Sequence, residues 1–223
     1  DLFNAGVNNL FGEINWFYCS ASSAVVDRVV TYNYLDSTSQ RPIWTVGSLD
    51  RTAWQDSAVY DKPHATYFDA SDNASFDVTG NTDGSTIYYE HEIGTNQVNA
   101  GGAITAIQAD ILSGDFDITQ KRSNTGQAVG TPDLRGDGEY IMRISRFIPD
   151  FIEQSGTTKV SFTTRNYPNS TPVTTNFDTT SATTFKSTRI RARSIALKVS
   201  NTGTDEKWKL GTFRLDIAPG GMR

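Results

Sequence analysis

What most limits the folds open to this chain is its lack of helical spacing. No long window keeps apolar residues at i, i+3, i+4 and i+7. Instead, β-branched and aromatic residues recur in short runs between clusters of Gly, Asn, Asp and Ser. The pattern predicts an all-β fold of antiparallel meanders with little helix, arranged as propeller-blade-like or sandwich sheets. At 223 residues the chain is long enough for one large β domain or two smaller ones. Its 37% apolar content and mean hydropathy of −0.43 fit a soluble protein, and no apolar run reaches the length of a membrane-spanning helix. The opening DLFNAGVNNLFGE has neither an initiator Met nor the features of a signal peptide, so a piece of a longer chain is expected.

The clearest unit is residues 1–60, a three-stranded meander with the spacing of a propeller blade. INWFYCSA and RVVTYNYL read as its first two strands, and IWTVGSL reads as the third after the polar turn DSTSQRP. Residues 61–223 read as a further antiparallel region. TIYYEHEIG, AITAIQADI and KVSFTTRNYP read as strands. In EYIMRISRFIPDF, Ile141, Arg143 and Ser145 share one face while Met142, Ile144 and Arg146 share the other. The Thr-rich PNSTPVTTNFDTTSATTFKST suggests extended chain pinned by Phe177 and Phe185. RIRARSIALKVSN and WKLGTFRLDI, joined by TGTDEK, predict a closing hairpin. In its second half Trp208 and Leu210 have one parity, and Phe213, Leu215 and Ile217 the other. A bulge at Gly211-Thr212 would turn all five onto one core and make this the structural C-terminal strand.

A net charge of −5 and a pI near 5 argue against a general nucleic-acid binder. One basic stretch survives that argument. Arg189, Arg191 and Arg193 alternate along one strand face, about 7 Å apart, and repel unless something anionic faces them. They are candidate subunit or ion-pair contacts, with Asp216 and Glu206 as carboxylate partners; nucleic acid or an acidic partner surface is the functional reading. Because Ile195, Leu197 and Val199 continue the same parity, either the Arg row flanks a core or a bulge changes faces at Ser194.

Enzymatic and metal motifs are thin. The lone Cys19 excludes an intrachain disulfide, which favours folding in the cytoplasm, and it reads as a small buried hydrophobe. His91 stands between Glu90 and Glu92, but strand geometry points the imidazole away from both carboxylates. His64 follows a Pro in an expected loop. Asp69, Asp72, Asp77, Asn81 and Asp83 lack calcium-loop spacing. The pairs Asp115/Asp117 and Glu90/Glu92 are weak glycosidase candidates, and Arg135-Gly136-Asp137 is a weak adhesion motif. There is no GxSxG, P-loop or GxGxxG. No catalytic residue, cofactor or metal is expected.

Taken in order, INWFYCSASSAVVDRVVTYNYLD, IWTVGSLDRTAW, YYEHEIG, FIPDF, RIRARSIALKV and WKLGTFRLDIAPGGMR resemble the C-terminal part of a family of short-tailed bacteriophage virion proteins. These are tail hub or nozzle proteins, or packaged-DNA stabilisation proteins, with a β-propeller-like fold. The resemblance runs from about Trp16 to Arg223, with Ala192 standing where Gly is expected. It implies a structural part of a ring-shaped conduit, assembled in the host cytoplasm and carried in the virion. The implied partners are copies of itself, neighbouring tail proteins, and DNA passing without sequence-specific binding. The alternative is a carbohydrate-binding or carbohydrate-cleaving β domain with Trp44, Trp54 and Tyr67 as a sugar platform.

Overall fold

The computed structural model describes residues 3–57, 60–69, 85–98, 102–118, 140–201 and 203–221. The protein is all-β: the described residues form strands and turns, and among them every strand pairing is antiparallel and no helix is long and apolar enough to cross a membrane. The chain divides into two compact units, Asp1–Gly94 and Thr95–Arg223. A division at residue 60 falls inside the first of them.

In the first unit, β1 (Phe3–Asn8), β2 (Glu13–Tyr18), β3 (Arg28–Thr38) and β4 (Arg41–Gly47) form a four-stranded meander in sequence order. The sequence reading missed β1, because FNAGVN carries a Gly and two Asn and resembles a loop. Pairing fixes the two faces. Trp16 lies opposite Val30, Val30 opposite Val46, and Tyr32 opposite Trp44, so all five share one face. Phe17 lies opposite Val29 on the other face, where both are buried with Val26. A second sheet follows, built from β5 (Ala53–Gln55), β6 (His64–Asp69) and β7 (Ser85–Glu90).

Trp54 ties β5 to the meander. Its ring lies 5.4 Å from that of Phe17, and its indole N–H donates to the Val7 carbonyl at 2.9 Å. A Cβ on Gly6 would meet Trp54 Cδ1 at 2.1 Å, so only glycine lets the indole lie this close to the strand.

The second unit opens with a two-stranded pair, β8 (Asn96–Val98) and β9 (Ile104–Ala106), followed by β10 (Asp110–Leu112). Next come β11 (Met142–Ile148), β12 (Phe151–Ser155), β13 (Thr158–Arg165) and β14 (Val173–Thr179). The last four are β15 (Lys186–Ala192), β16 (Ser194–Ser200), β17 (Lys207–Leu210) and β18 (Arg214–Pro219). One sheet runs β10-β16-β13-β14, another β15-β11-β18, and β12 pairs with β17. The first two share one apolar core, with Met142, Ile144, Phe147 and Ile190 from one sheet against Val160, Phe162, Ile195 and Val199 from the other. Phe147 is its hub, within 5.3–5.6 Å of the rings of Phe162, Phe177 and Phe213.

Five expectations change here. AITAIQADI is not one strand but β9 and β10, which lie in different sheets. RIRARSIALKVSN is also two strands: Thr188, Ile190 and Ala192 point inward from β15, the chain crosses at Arg193, and Ile195 and Val199 point inward from β16. The parity conflict in the sequence is thus resolved by a change of sheet. The closing hairpin does not form, because β16 pairs with β10 and β13, β17 with β12, and β18 with β11. In β11 a register shift between Ile144 and Arg146 leaves both Ser145 and Arg146 outward and returns Phe147 to the core. The Thr-rich stretch is the regular edge strand β14, with Phe177 on the core; Phe185 is exposed beneath the Arg146 guanidinium, 5.4 Å from its ring centroid.

Candidate interaction surfaces

The bulge in β11 and the alternation in β15 gather arginines on the outer face of the β15-β11-β18 sheet. Arg189 and Arg191 project outward between buried Thr188, Ile190 and Ala192. Arg143 lies directly opposite Arg191 in the ladder. Asp216 does not serve the row, because it faces Arg146 across the strands and pairs with it at 2.6 Å. Arg214 pairs with Asp150 at 3.3 Å. Arg143, Arg189 and Arg191 therefore make no ion pair among the described residues; Arg191 reaches only the Gly220 carbonyl, at 3.4 Å. Arg193 sits at the crossing between sheets, away from the outward row. Glu206 is turned back onto its own loop, accepting from the Gly203 N–H at 2.7 Å.

A cleft of about 290 Å³ opens beside this row, lined by Thr164, Thr175, Phe177, Arg189, Ile190 and Arg191. It lies where the edge strands β14 and β15 of the two sheets leave the core open. The sequence could mark the arginine row but not the cleft, which depends on non-local pairing.

The C-terminal residues divide between two strands. Trp208 and Leu210 belong to β17 and pair toward β12, whereas Leu215 and Ile217 belong to β18 beside β11. The expected bulge at Gly211-Thr212 is a break between strands. Trp208, Phe213, Leu215 and Ile217 pack against the shared core, whereas Leu210 is half-buried opposite Phe151.

In the first unit the outer face of the meander is aromatic and open. Trp16 and Tyr32 lie 5.8 and 4.7 Å from Trp44, which is exposed. The expected sugar platform is not assembled: Trp54 is half-buried on the opposite face of the meander, and Tyr67 is half-buried in β6.

A polar cluster missed in the sequence lies under β7. Arg51 is almost wholly buried; its Nε donates to His91 Nε2 at 2.9 Å, and its guanidinium lies 4.1 Å over the Tyr89 ring. His91 also packs on Trp54, with ring centroids 4.8 Å apart. Burial first, and the Arg51 charge second, hold the His91 pKa down to about 4. The cluster is structural: a neutral imidazole accepts from a guanidinium that the ring of Tyr89 also stabilises. His91 thus lies just past the end of β7 and is half-buried, while its neighbours Glu90 and Glu92 are exposed. Glu92 adopts a left-handed conformation at φ 60 and accepts from Asn8 Nδ2 at 3.0 Å, so Glu90 and Glu92 do not form a strand pair. His64 is the first residue of β6, not a loop residue, and contacts Tyr60 and Tyr88.

Asp115 is taken up by Arg165 in an ion pair. No three metal-binding side chains converge among the described residues. Asp72, Asp77, Asn81, Asp83 and the Arg135-Gly136-Asp137 tripeptide lie outside the described residues.

Charge divides with the fold. Residues 1–94 carry 13 acidic and 4 basic side chains, a net −9, and residues 95–223 carry 12 acidic and 16 basic, a net +4, which together make the −5 of the chain. The fold and these surfaces define a two-unit antiparallel β protein with an aromatic face on one unit and an arginine face on the other. Compared with known proteins, the chain matches no family model, and no curated protein matches it.

Proposed function

We propose that this chain is a structural subunit of a short-tailed phage tail, part of a ring-shaped conduit through which DNA passes. The ordered stretches that resemble that family coincide with β2, β3, β4, β7, the β11–β12 corner, β15–β16 and β17–β18. The first sheet has the four-stranded meander order of a propeller blade.

The observation that carries the proposal is the outer face of that sheet. Phe3, Tyr18, Trp44 and Val46 are 64, 37, 53 and 78% exposed on one side of a single sheet. A free-standing antiparallel sheet normally turns polar residues to water, and contiguous apolar faces are usually covered by partners. A subunit that closes a ring through contacts between different surfaces of identical copies supplies such a cover. Electron microscopy and sedimentation of the full-length protein test the proposal. Rings, or incorporation into phage particles, are expected; a protein that stays monomeric and never enters particles would refute it.

The Trp16–Tyr32–Trp44 cluster favours a second reading as a glycan platform, since sugar rings stack on exposed aromatic faces. Tryptophan fluorescence titrated with oligosaccharides separates the two. Saturable quenching by a monomer, lost in Trp44→Ala, would support the glycan reading.

A further inference from the structure

We propose that the arginine face of the second unit is a docking surface for the acidic first unit of another copy of this chain, giving head-to-tail association. The inference rests on the reading of the chain as an assembling subunit and names one of the surfaces that meet.

Three observations point to it. First, Arg143 and Arg191 are direct cross-strand neighbours, and Arg189 is two residues along the same edge strand. Like charges placed about 5 Å apart across a ladder destabilise the sheet unless an anion lies over them. Second, among the described residues the carboxylates of β18 and of the β11–β12 corner are already taken, Asp216 by Arg146 and Asp150 by Arg214. Third, the chain itself supplies the complement. Its first unit holds 13 acidic side chains against 4 basic ones.

The cleft beside Arg189 and Arg191 gives an incoming carboxylate a seat, with Thr164, Thr175 and Phe177 in its lining. A bidentate guanidinium–carboxylate contact there would fix orientation as well as add attraction. Because the two surfaces differ, each copy keeps one of each free, and repetition yields a ring or a filament.

Sedimentation velocity of the full chain tests this at about 0.1 M and about 1 M NaCl, where the Debye length falls from ~10 to ~3 Å. The expected result is self-association at low salt that weakens about tenfold or more at high salt. The double variant Arg189→Gln, Arg191→Gln should associate at low salt only as weakly as the wild type does at high salt, with an unlowered Tm, since both side chains are on the surface. Association that ignores salt and the double variant would overturn the docking surface while leaving the subunit reading intact. A wild-type chain that never associates at either salt would overturn both. The third measurement is anisotropy of a labelled short DNA duplex. Salt-dependent DNA binding lost in the double variant, without salt-dependent self-association, would assign the face to nucleic acid and overturn the proposal.

Discussion

At the scale of single residues, two positions in the first unit are set by close packing around Trp54. Gly6 leaves room for an indole whose Cδ1 would lie 2.1 Å from any Cβ. Gly6→Ala must push Trp54 off Phe17 and break its bond to the Val7 carbonyl, which costs about 1–3 kcal/mol. A lowered Tm with red-shifted tryptophan emission is expected; an unchanged spectrum would contradict it. His91 carries the pH dependence. Its pKa is about 4 in the fold against 6.5 for the free side chain, so the unfolded chain binds the proton more readily. Its contribution is fully present above about pH 6.5 and is lost as the pH falls toward 4. Glu13 works in the opposite sense: burial, then the Glu92 charge, raise its pKa above the usual 4.5, so its ionised form disfavours the fold. Tm measured from pH 7 to 5 should fall in the wild type and flatten in His91→Gln, which offers Arg51 an acceptor but cannot titrate. Equal slopes would exclude His91 as the source.

At the scale of elements, β11 shows how one residue decides which face a strand presents. The bulge after Ile144 places Ser145 and Arg146 outward and restores Phe147 to the core. Deleting Ser145 would make the alternation regular with both faces kept, Arg146 still outward opposite Asp216 and Phe147 still inward opposite Leu215. The second unit is expected to stay folded in that deletion variant, and Ser145→Ala should change stability by no more than about 0.5 kcal/mol; unfolding of the deletion variant would refute the reading of Ser145 as the extra residue of a bulge. The strands themselves were legible in the residues, because INWFYC, RVVTYNYL and KVSFTTR carry β-branched and aromatic runs between turn residues. Where the chain changes sheets was not. The parity conflict at Arg193 and the parity slip at Gly211-Thr212 were both visible, but each is a local signal open to a bulge or a crossing. Only the partners decide: β15 finds β11 more than 40 residues earlier, and β17 finds β12. β1 was invisible for the complementary reason, since its pairing with β2 overrides a loop-like composition. The arginine row could be read as a row, but the answer of Asp216 to Arg146 required the β11–β18 register.

At the scale of the whole molecule, the two units offer contacts of different physical kinds, an apolar face on the first and a charged one on the second. Salt separates them, because screening weakens charge pairing while leaving apolar burial in place. Val46 is the sharpest probe of the apolar face: it is 78% exposed, opposite Val30 in the ladder, and far more open than its neighbour Trp44. A glutamate there would extend into water in the free chain, so Val46→Glu should alter its stability by no more than about 0.5–1 kcal/mol. In an assembly that covers this face, the same carboxylate would be buried without a partner and would weaken association by about 2 kcal/mol or more. Sedimentation at about 1 M NaCl, where the arginine contact is screened, isolates the effect. Residual association of the wild type that disappears in Val46→Glu, with unchanged melting, is the expected outcome. Residual association that survives the substitution would show that the meander's aromatic face remains open to water in the assembled protein, and the glycan-platform reading would then be the better account of Trp16, Tyr32 and Trp44.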